Sequence, residues 1–232
     1  MNKRLTERQF GELFVERFEA GGLPRLLQSS PGPLIPEVEF MQGRPDFVCA
    51  SYPTRRSSHR RAEQIGNSLS TSSKANLLGY LKPHAVRTAD YLRAQTGLSN
   101  GVFENAVTEL RAAKVVKTKR NKNRELVFAS NIPVAEVCVF ELKLEKWQRA
   151  VFQAQQYRAA ANRVAIVMPA QFIHRIEPFA ARLREFGVGV ISLDTNSGEF
   201  RTLIHPSKNR PLSMQHYYFA LGNYLKAASA LA

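Results

Sequence analysis

Apolar residues recur at helical spacing near the start of the chain. Phe10, Phe14 and Phe18 lie on one side of a helix if the segment has 3.6 residues per turn. Thr6 precedes this run, and Gln9 lies three residues after Thr6, which is the spacing of a capping box. The pattern therefore predicts an N-terminal amphipathic helix that ends at the Gly21-Gly22 pair.

Short apolar runs and amphipathic segments alternate through the rest of the two outer parts of the chain. We predict strands over 34–40, 45–50, 134–144, 164–168, 188–193 and 200–204. We predict helices over 146–162 and 172–186, and a terminal helix within 214–232. This order indicates an α/β fold with a mixed sheet flanked by helices.

The middle of the chain has a different pattern. Residues 51–73 are rich in Ser and Arg and poor in apolar side chains, which predicts a mobile loop. Helices are then predicted within 74–81, from Val86 to Gly97, and after Ser99, followed by two strands around a basic turn. Three short helices followed by a hairpin are typical of a winged helix-turn-helix domain.

The charge of the chain is concentrated in this middle part. The whole chain has a formal net charge of +14 and a sequence pI near 10.2. Residues 53–130 contain 15 Lys and Arg but only 5 Asp and Glu, so they carry +10 of that charge. Such a balance favours a polyanionic partner, with nucleic acid preferred over a membrane surface, although a basic but unspecialised protein remains the alternative.

No apolar run reaches the roughly 20 residues of a membrane span, and the N-terminus lacks the apolar core of a signal peptide. Cys49 and Cys138 both lie in apolar runs, which predicts buried reduced thiols rather than a disulfide or zinc site. These features predict a cytoplasmic protein.

The predicted winged helix offers two groups of DNA-binding candidates. Its third helix would enter the major groove, and its wing would contact phosphates. The helix candidates are Asn100 and Asn105, with Glu104 and Thr108 also exposed, and the wing candidates are Lys117, Lys119, Arg120, Lys122 and Arg124. The alternative is a three-helix unit that contacts another protein. The cationic wing favours DNA, because neutralising phosphates releases counterions.

Acidic residues are few in the apolar framework, and three polar positions have an informative placement. Asp46 follows Pro45 at the start of a predicted strand. Glu141 and Lys143 are two residues apart on the long strand and so project from the same face, whereas Leu142 points to the other. A buried carboxylate and amine are costly unless they are paired or bound to metal. A simple Glu141–Lys143 ion pair is the alternative interpretation.

These residues resemble a known motif. Pro45-Asp46, then Glu141-Leu142-Lys143 on a strand, then a helix with Gln153 and Tyr157, look like the PD-(D/E)XK nuclease superfamily, which includes type II restriction enzymes and archaeal Holliday-junction resolvases. The resemblance covers about residues 5–50 and 131–205. Asp46 and Glu141 are 95 residues apart, far more than a hairpin needs, and an inserted domain accounts for the gap.

The resemblance implies a restriction-endonuclease-like fold with a discontinuous domain organisation. Residues 1–52 and 131–232 would form the nuclease-like domain, residues 53–73 a basic linker, and residues 74–130 the inserted winged-helix domain.

The resemblance also implies a metal site. Asp46, Glu141 and the Leu142 carbonyl would bind Mg²⁺, for which Mn²⁺ could substitute. Lys143 would hold or activate the attacking water, and Gln153 would orient water or backbone.

Two further residues are expected near this site. Many superfamily members add a glutamate from the first helix. Glu7 shares a face with Phe10 and Phe14, so we prefer it to Glu12 and Glu16, although a simple helix N-terminal charge is an equal alternative. Arg44 would contact the scissile phosphate unless it is an ordinary turn arginine in solvent.

The resulting expectation is a metal-dependent DNA endonuclease that hydrolyses phosphodiester bonds. A non-catalytic DNA-binding regulator on a nuclease-like scaffold is the main alternative, and a nuclease acting on RNA or branched DNA ranks below it. A homodimer through the terminal helix and a partner protein from a restriction, transposition or defence system are left open as partners besides DNA.

Overall fold

The structure is a computed structural model that describes residues 5–23, 31–51, 66–81, 86–121, 124–129 and 134–231. Its helices are α1 (Glu7–Glu19), α2 (Ser72–Tyr80), α3 (Ala89–Thr96), α4 (Asn100–Ala112), α5 (Trp147–Tyr157), α6 (Ala180–Glu185) and α7 (Met214–Ser229). Its strands are β1 (Ile35–Pro36), β2 (Phe47–Ser51), β3 (Val86–Thr88), β4 (Val116–Asn121), β5 (Arg124–Ala129), β6 (Glu136–Leu142), β7 (Arg163–Pro169), β8 (Val188–Leu193) and β9 (Phe200–Ile204).

The main sheet has six strands in the order β1-β2-β6-β7-β8-β9. The central strands β6, β7 and β8 are parallel, while β1, β2 and β9 pair antiparallel to their neighbours. Every residue of β6 and β8 is buried, as expected of central parallel strands covered on both faces. The prediction of an α/β fold with a mixed sheet flanked by helices is confirmed.

Helix α1 covers one face of this sheet. Thr6 and Gln9 form the predicted capping box at its start, and Phe10 and Phe14 are its buried residues. The ring of Phe14 lies 5.3–5.8 Å from three aromatic rings of the sheet, counted between ring centroids: Phe47, Phe140 and Phe200. These contacts position α1 across β2, β6 and β9.

Helices α5, α6 and α7 cover the opposite face. Helix α5 packs on β6 and β7, α6 on β8 and β9, and α7 on β1 and β2. The alternating side chains of β6 divide between these two cores. Val137 and Val139 face α5 and α7, whereas Phe140 and Leu142 face α1. Glu141 therefore projects between α5 and α7.

The segment between β2 and β6 contributes α2, α3, α4 and a second sheet of three antiparallel strands in the order β3-β5-β4. We call residues 72–129, as far as they are described, the inserted unit. Thr88 caps α3 by accepting a hydrogen bond from Tyr91 N–H, and Gly97 ends it with φ of 64°. A buried Lys74 on α2 forms an ion pair of 2.5 Å with Glu109 on α4, which joins the two helices.

Helix α7 connects the inserted unit to the main sheet. It packs along α2 on one side and on β1 and β2 on the other. Gly222 on α7 lies against Leu69, which is fully buried, and one continuous apolar core includes residues of both α2 and the sheet. The inserted unit is therefore docked on the rest of the molecule through α7. The predicted domain boundaries themselves stay a prediction.

Three element predictions in the middle of the chain were wrong. Helix α2 begins at Ser72 rather than Lys74, and residues 66–69 form a helical turn, so the last part of the predicted linker 53–73 is folded. Val86 lies in β3, paired with Phe128 of β5, rather than in a helix. A β-branched side chain favours extended backbone, and β5 of the hairpin has a free edge with which this segment can pair. Residues 52–65, which contain most of that linker, lie outside the described residues.

Two predictions in the outer parts were also wrong. The predicted helix 172–186 is two 3₁₀ segments followed by the short α6, because Pro178 lacks the amide hydrogen that a continuous helix needs. The predicted strand 34–40 is only two residues long, and Glu37 adopts φ of 49° directly after it.

Within the described part of the chain, no helix is both long enough and apolar enough to cross a membrane.

The aromatic contacts of Phe14 predict that α1 is a major source of stability. We expect Phe14→Ala to lower the free energy of unfolding by about 3–5 kcal/mol, because the change leaves a cavity among packed rings. Urea denaturation followed by circular dichroism measures this difference. Leu212→Ala, at a side chain that is 76% exposed, is the control and should change it by less than about 0.5 kcal/mol. A Phe14→Ala protein as stable as wild type would contradict this role of α1.

Candidate functional site

The register between β2 and β6 brings Asp46 beside the end of β6. Phe47 pairs with Phe140, so the residue before β2 lies next to the residue that follows Phe140. The Leu142 N–H donates a hydrogen bond of 2.6 Å to Asp46 Oδ2. Asp46 and Glu141, which are 95 positions apart in the sequence, therefore meet where β2 begins and β6 ends.

Lys143 lies between the two carboxylates. Its Nζ is 2.9 Å from Glu141 Oε1 and 3.5 Å from Asp46 Oδ2. The Lys143 side chain is 12% exposed and that of Asp46 is 37% exposed, so the group opens to solvent on the Asp46 side. The structure thus brings together Asp46, Glu141, Leu142 and Lys143: the spacing predicted the shared face of Glu141 and Lys143, and the resemblance implied the other two.

Glu141 is the most deeply buried of these groups, with 1% exposure. Lys143 Nζ lies 2.9 Å from Oε1, and hydrogen bonds from Lys143 and from the Asp46 backbone lower the pKa of Glu141, although neither carboxylate oxygen makes a hydrogen bond of good geometry. A buried carboxylate without directed donors is costly. Its two oxygens are therefore suited to accept a cation or another donor.

The pKa values of the two side chains follow from this placement. Burial, and then the charge of Asp46, raise the pKa of Glu141 from 4.5 to about 6, and Lys143 only partly offsets them. Burial alone would lower the pKa of Lys143, but Glu141, Asp46 and Glu7 outweigh it, so that pKa is raised. Lys143 is therefore a cation at neutral pH, and Glu141 changes charge in the mildly acidic range.

Helix α5 adds two side chains beside this group. Gln153 and Tyr157 are one turn apart, and the Tyr157 hydroxyl lies close to both Gln153 and Glu141. Burial, and then the Glu141 charge, raise the pKa of Tyr157 to about 12, so it remains a neutral hydroxyl. The amide oxygen of Gln153 is buried and has no hydrogen-bond partner. The predicted position of Gln153 next to the site is thus found.

The turn before Asp46 is held from two sides. Phe40 and Gly43 exchange backbone hydrogen bonds of 2.8 and 3.2 Å, and the Phe40 ring packs edge-on against Tyr157. The Gln42 amide nitrogen contacts His216 Nδ1 on α7. The sequence analysis missed His216, and no sequence signal would have found it, because the two residues are 174 positions apart.

The three glutamates of α1 differ in their surroundings. Glu7 is exposed but close enough to Lys143 to raise its pKa. Glu12 pairs with Arg8 at 2.9 Å, and Glu16 lies 3.8 Å from Arg17. Which of these glutamates, if any, joins the site stays a prediction, with Glu7 preferred.

Residues 5–23, 31–51, 66–81, 86–121, 124–129 and 134–231 contain no group of three or more His, Cys, Asp and Glu side chains that could hold a metal ion. The oxygen atoms at this site that could bind a metal ion are the carboxylates of Asp46 and Glu141 and the backbone carbonyl of Leu142. A role for Glu7 as a further ligand stays a prediction. Arg44, two residues before Asp46 in the sequence, is exposed.

The predicted DNA-binding residues lie on the outer surface of the inserted unit. Asn100 and Asn105 are exposed on α4, while Glu104 is partly exposed and 3.4 Å from Arg93. Lys117, Lys119 and Arg120 are exposed on β4. Lys122 lies outside the described residues, and Arg124 begins β5 but its side chain is not described.

No protein-family model, curated protein sequence or solved structure matches this chain. The site holds a cation between two carboxylates at a sheet edge, with a buried amide oxygen and a neutral tyrosine alongside. Such a set can bind a divalent metal, present a positive charge to an anion and exclude part of the surrounding water.

The raised pKa of Glu141 predicts how stability changes with pH. The folded protein holds this proton up to about pH 6, whereas the unfolded chain releases it near 4.5. The free energy of unfolding should therefore fall as pH rises from 4.5 to about 6 and then level off, because Glu141 ionises less readily in the folded protein than in the unfolded chain. Lys143 keeps its charge through this window.

Thermal denaturation without divalent metal, across that pH range, measures the effect. Glu141→Gln should remove this part of the pH dependence, while the exposed Glu12→Gln should retain it. A Glu141→Gln protein whose pH profile parallels that of wild type would show that Glu141 titrates normally in the fold.

Proposed function

We propose that this chain is a metal-dependent DNA endonuclease of the PD-(D/E)XK, restriction-endonuclease-like type. The observation that carries the proposal is the contact of Lys143 with both Asp46 and Glu141 at the edge of the mixed sheet. An ordinary stabilising ion pair would fully compensate the carboxylate it buries, whereas burial and the Asp46 charge still raise the pKa of Glu141 to about 6 despite Lys143.

The residues present fit a divalent metal. The buried Glu141 carboxylate lies beside Asp46 and makes no hydrogen bond of good geometry, and oxygen donors of this kind suit Mg²⁺ or Mn²⁺. Asp46, Glu141 and the Leu142 carbonyl would hold the ion, with Glu7 as a further candidate. Bound there, the metal would lower the pKa of a coordinated water and neutralise charge on the phosphate.

The chain itself supplies the remaining functions. Lys143 stays protonated and contributes a fixed positive charge where negative charge develops on the phosphate. Gln153 offers a buried amide oxygen that can accept a hydrogen bond from an attacking water. The exposed Arg44 would contact a phosphate of the bound strand.

The inserted unit is proposed as a winged helix that binds duplex DNA. Two features support this: α3, a turn at Gly97 and α4 follow one another as in a helix-turn-helix, and the β4–β5 hairpin follows α4 as a wing. Lys117 and Lys119 on the hairpin are exposed and would contact phosphates. Asn100 and Asn105 would lie on the surface presented to base edges.

A non-catalytic DNA-binding regulator is the second candidate. The observation that favours it is Lys143 itself, because its charge partly compensates both carboxylates without any metal. The two candidates differ in whether divalent metal and Lys143 are needed for a covalent change in DNA.

Incubation with supercoiled plasmid and Mg²⁺ or Mn²⁺ distinguishes these candidates. We expect metal-dependent nicking or linearisation that falls about 100- to 1,000-fold in Lys143→Ala, because the variant loses a charge that stabilises the transition state. Lys146→Ala, at an exposed lysine three residues further on, is the control and should cleave as wild type does. DNA that remains intact while still bound by the wild-type protein would favour the regulator.

The wing is tested by the salt dependence of duplex binding. We expect the double change Lys117→Ala and Lys119→Ala to weaken binding and to reduce the slope of log K against log salt by about 2, one unit per lost phosphate contact. Arg184→Ala with Lys226→Ala removes the same charge from exposed sites outside the inserted unit and serves as control. An unchanged slope in the wing variant would indicate that the inserted unit contacts protein instead.

A further inference from the structure

We propose that the groove between α5 and α6 binds an unpaired base of single-stranded DNA, close to the bond that the chain cleaves. The inference rests on the proposed nuclease function, since it names the form of substrate that approaches the same site. It would make the enzyme act where a duplex adjoins an unpaired strand.

The groove has the surfaces that a planar ring requires. It encloses about 260 Å³ and is lined by Trp147, Val151 and Phe152 of α5 and by Phe179, Arg182 and Leu183 from the segment that ends in α6. The rings of Trp147 and Phe179 lie 4.3 Å apart between centroids, at an angle of 37°. At this separation Trp147 and Phe179 pack on each other, so they form one aromatic wall against which a base can stack, because every base has a π-face.

Phe152 is unusual for a large apolar side chain, with 60% of its surface exposed. Phe179 beside it is 41% exposed. Adjacent exposed aromatic rings are a common feature of binding surfaces. A second copy of this chain is a poor occupant, since each copy carries a net charge of +14 and would repel the other.

The polar groups around the groove favour a polyanion with hydrogen-bonding edges. Arg182 is the charged residue among those that line it, and Gln148 and Gln155 add amides at its rim. Arginine can pair with phosphate, and amides can donate to and accept from base edges. Charge complementarity therefore points to a nucleic acid strand rather than to a neutral apolar peptide.

The groove lies on the same helix, α5, as the residues beside Glu141. Successive residues of a helix are turned by about 100°, so Gln153 and Tyr157 lie on the flank of α5 that faces Glu141, and Trp147 and Val151 lie on the opposite flank. Arg149, exposed, lies on the outer side between the flanks. A strand leaving the cleavage site would cross one helix, about 10–12 Å wide, past Arg149 before it reaches the groove.

The test uses Trp147, which is the one tryptophan of the chain and so the source of its indole fluorescence. The full chain, in metal-free buffer to prevent cleavage, is titrated with an oligothymidylate of about 15 nucleotides and, separately, with a blunt duplex. We expect the single strand to quench Trp147. Phe152→Ala and Arg182→Ala should each weaken single-strand affinity by about tenfold while leaving duplex affinity unchanged, and Leu212→Ala should change neither.

The outcomes separate this proposal from the nuclease proposal. Trp147 fluorescence unaffected by saturating single strand, or a Phe152→Ala protein that binds it as tightly as wild type, would overturn the groove assignment even where plasmid is cleaved. Quenching that depends on Phe152 would support the groove even where the plasmid assay shows no cleavage, and the nuclease proposal alone would then fail.

Discussion

The arrangement of the candidate site depends on one electrostatic constraint, the burial of Glu141 in the same small volume as Asp46. Two carboxylates this close repel each other, and removing Glu141 from water adds to the cost. Lys143 offsets part of that cost by contacting both. A group that existed only for stability would be better replaced by apolar residues of similar size. The metal site proposed above would account for these buried charges.

The scaffold around the site fixes each member from a separate element. The β2–β6 register sets the position of Asp46, the parallel pairing of β6 with β7 buries Glu141, and α5 supplies Gln153 and Tyr157. Helix α7 holds the turn before Asp46 through His216 and also packs against α2 of the inserted unit. The same helix thus contacts both the inserted unit and the turn that carries Asp46.

Much of this arrangement could be predicted from local sequence. Periodicity predicted α1 and its capping box, β8 and β9, and the two-residue spacing placed Glu141 and Lys143 on one face. It could not predict contacts set by tertiary packing. Val86 joins a strand because an edge was open to it, and Leu69 is buried because α7 offers Gly222 beside it. The His216 contact likewise depends on how α7 docks, which no local pattern encodes.

Calorimetric titration of the metal-free protein with Mn²⁺ tests most directly whether the buried carboxylates form a metal site. We predict saturable binding that is lost in Glu141→Gln and in Asp46→Asn and kept in the exposed Glu12→Gln. Because the proton on Glu141 competes with the metal, the affinity should fall as pH drops below about 6. Absence of binding to the wild-type protein, or equal binding by Glu141→Gln, would contradict the account.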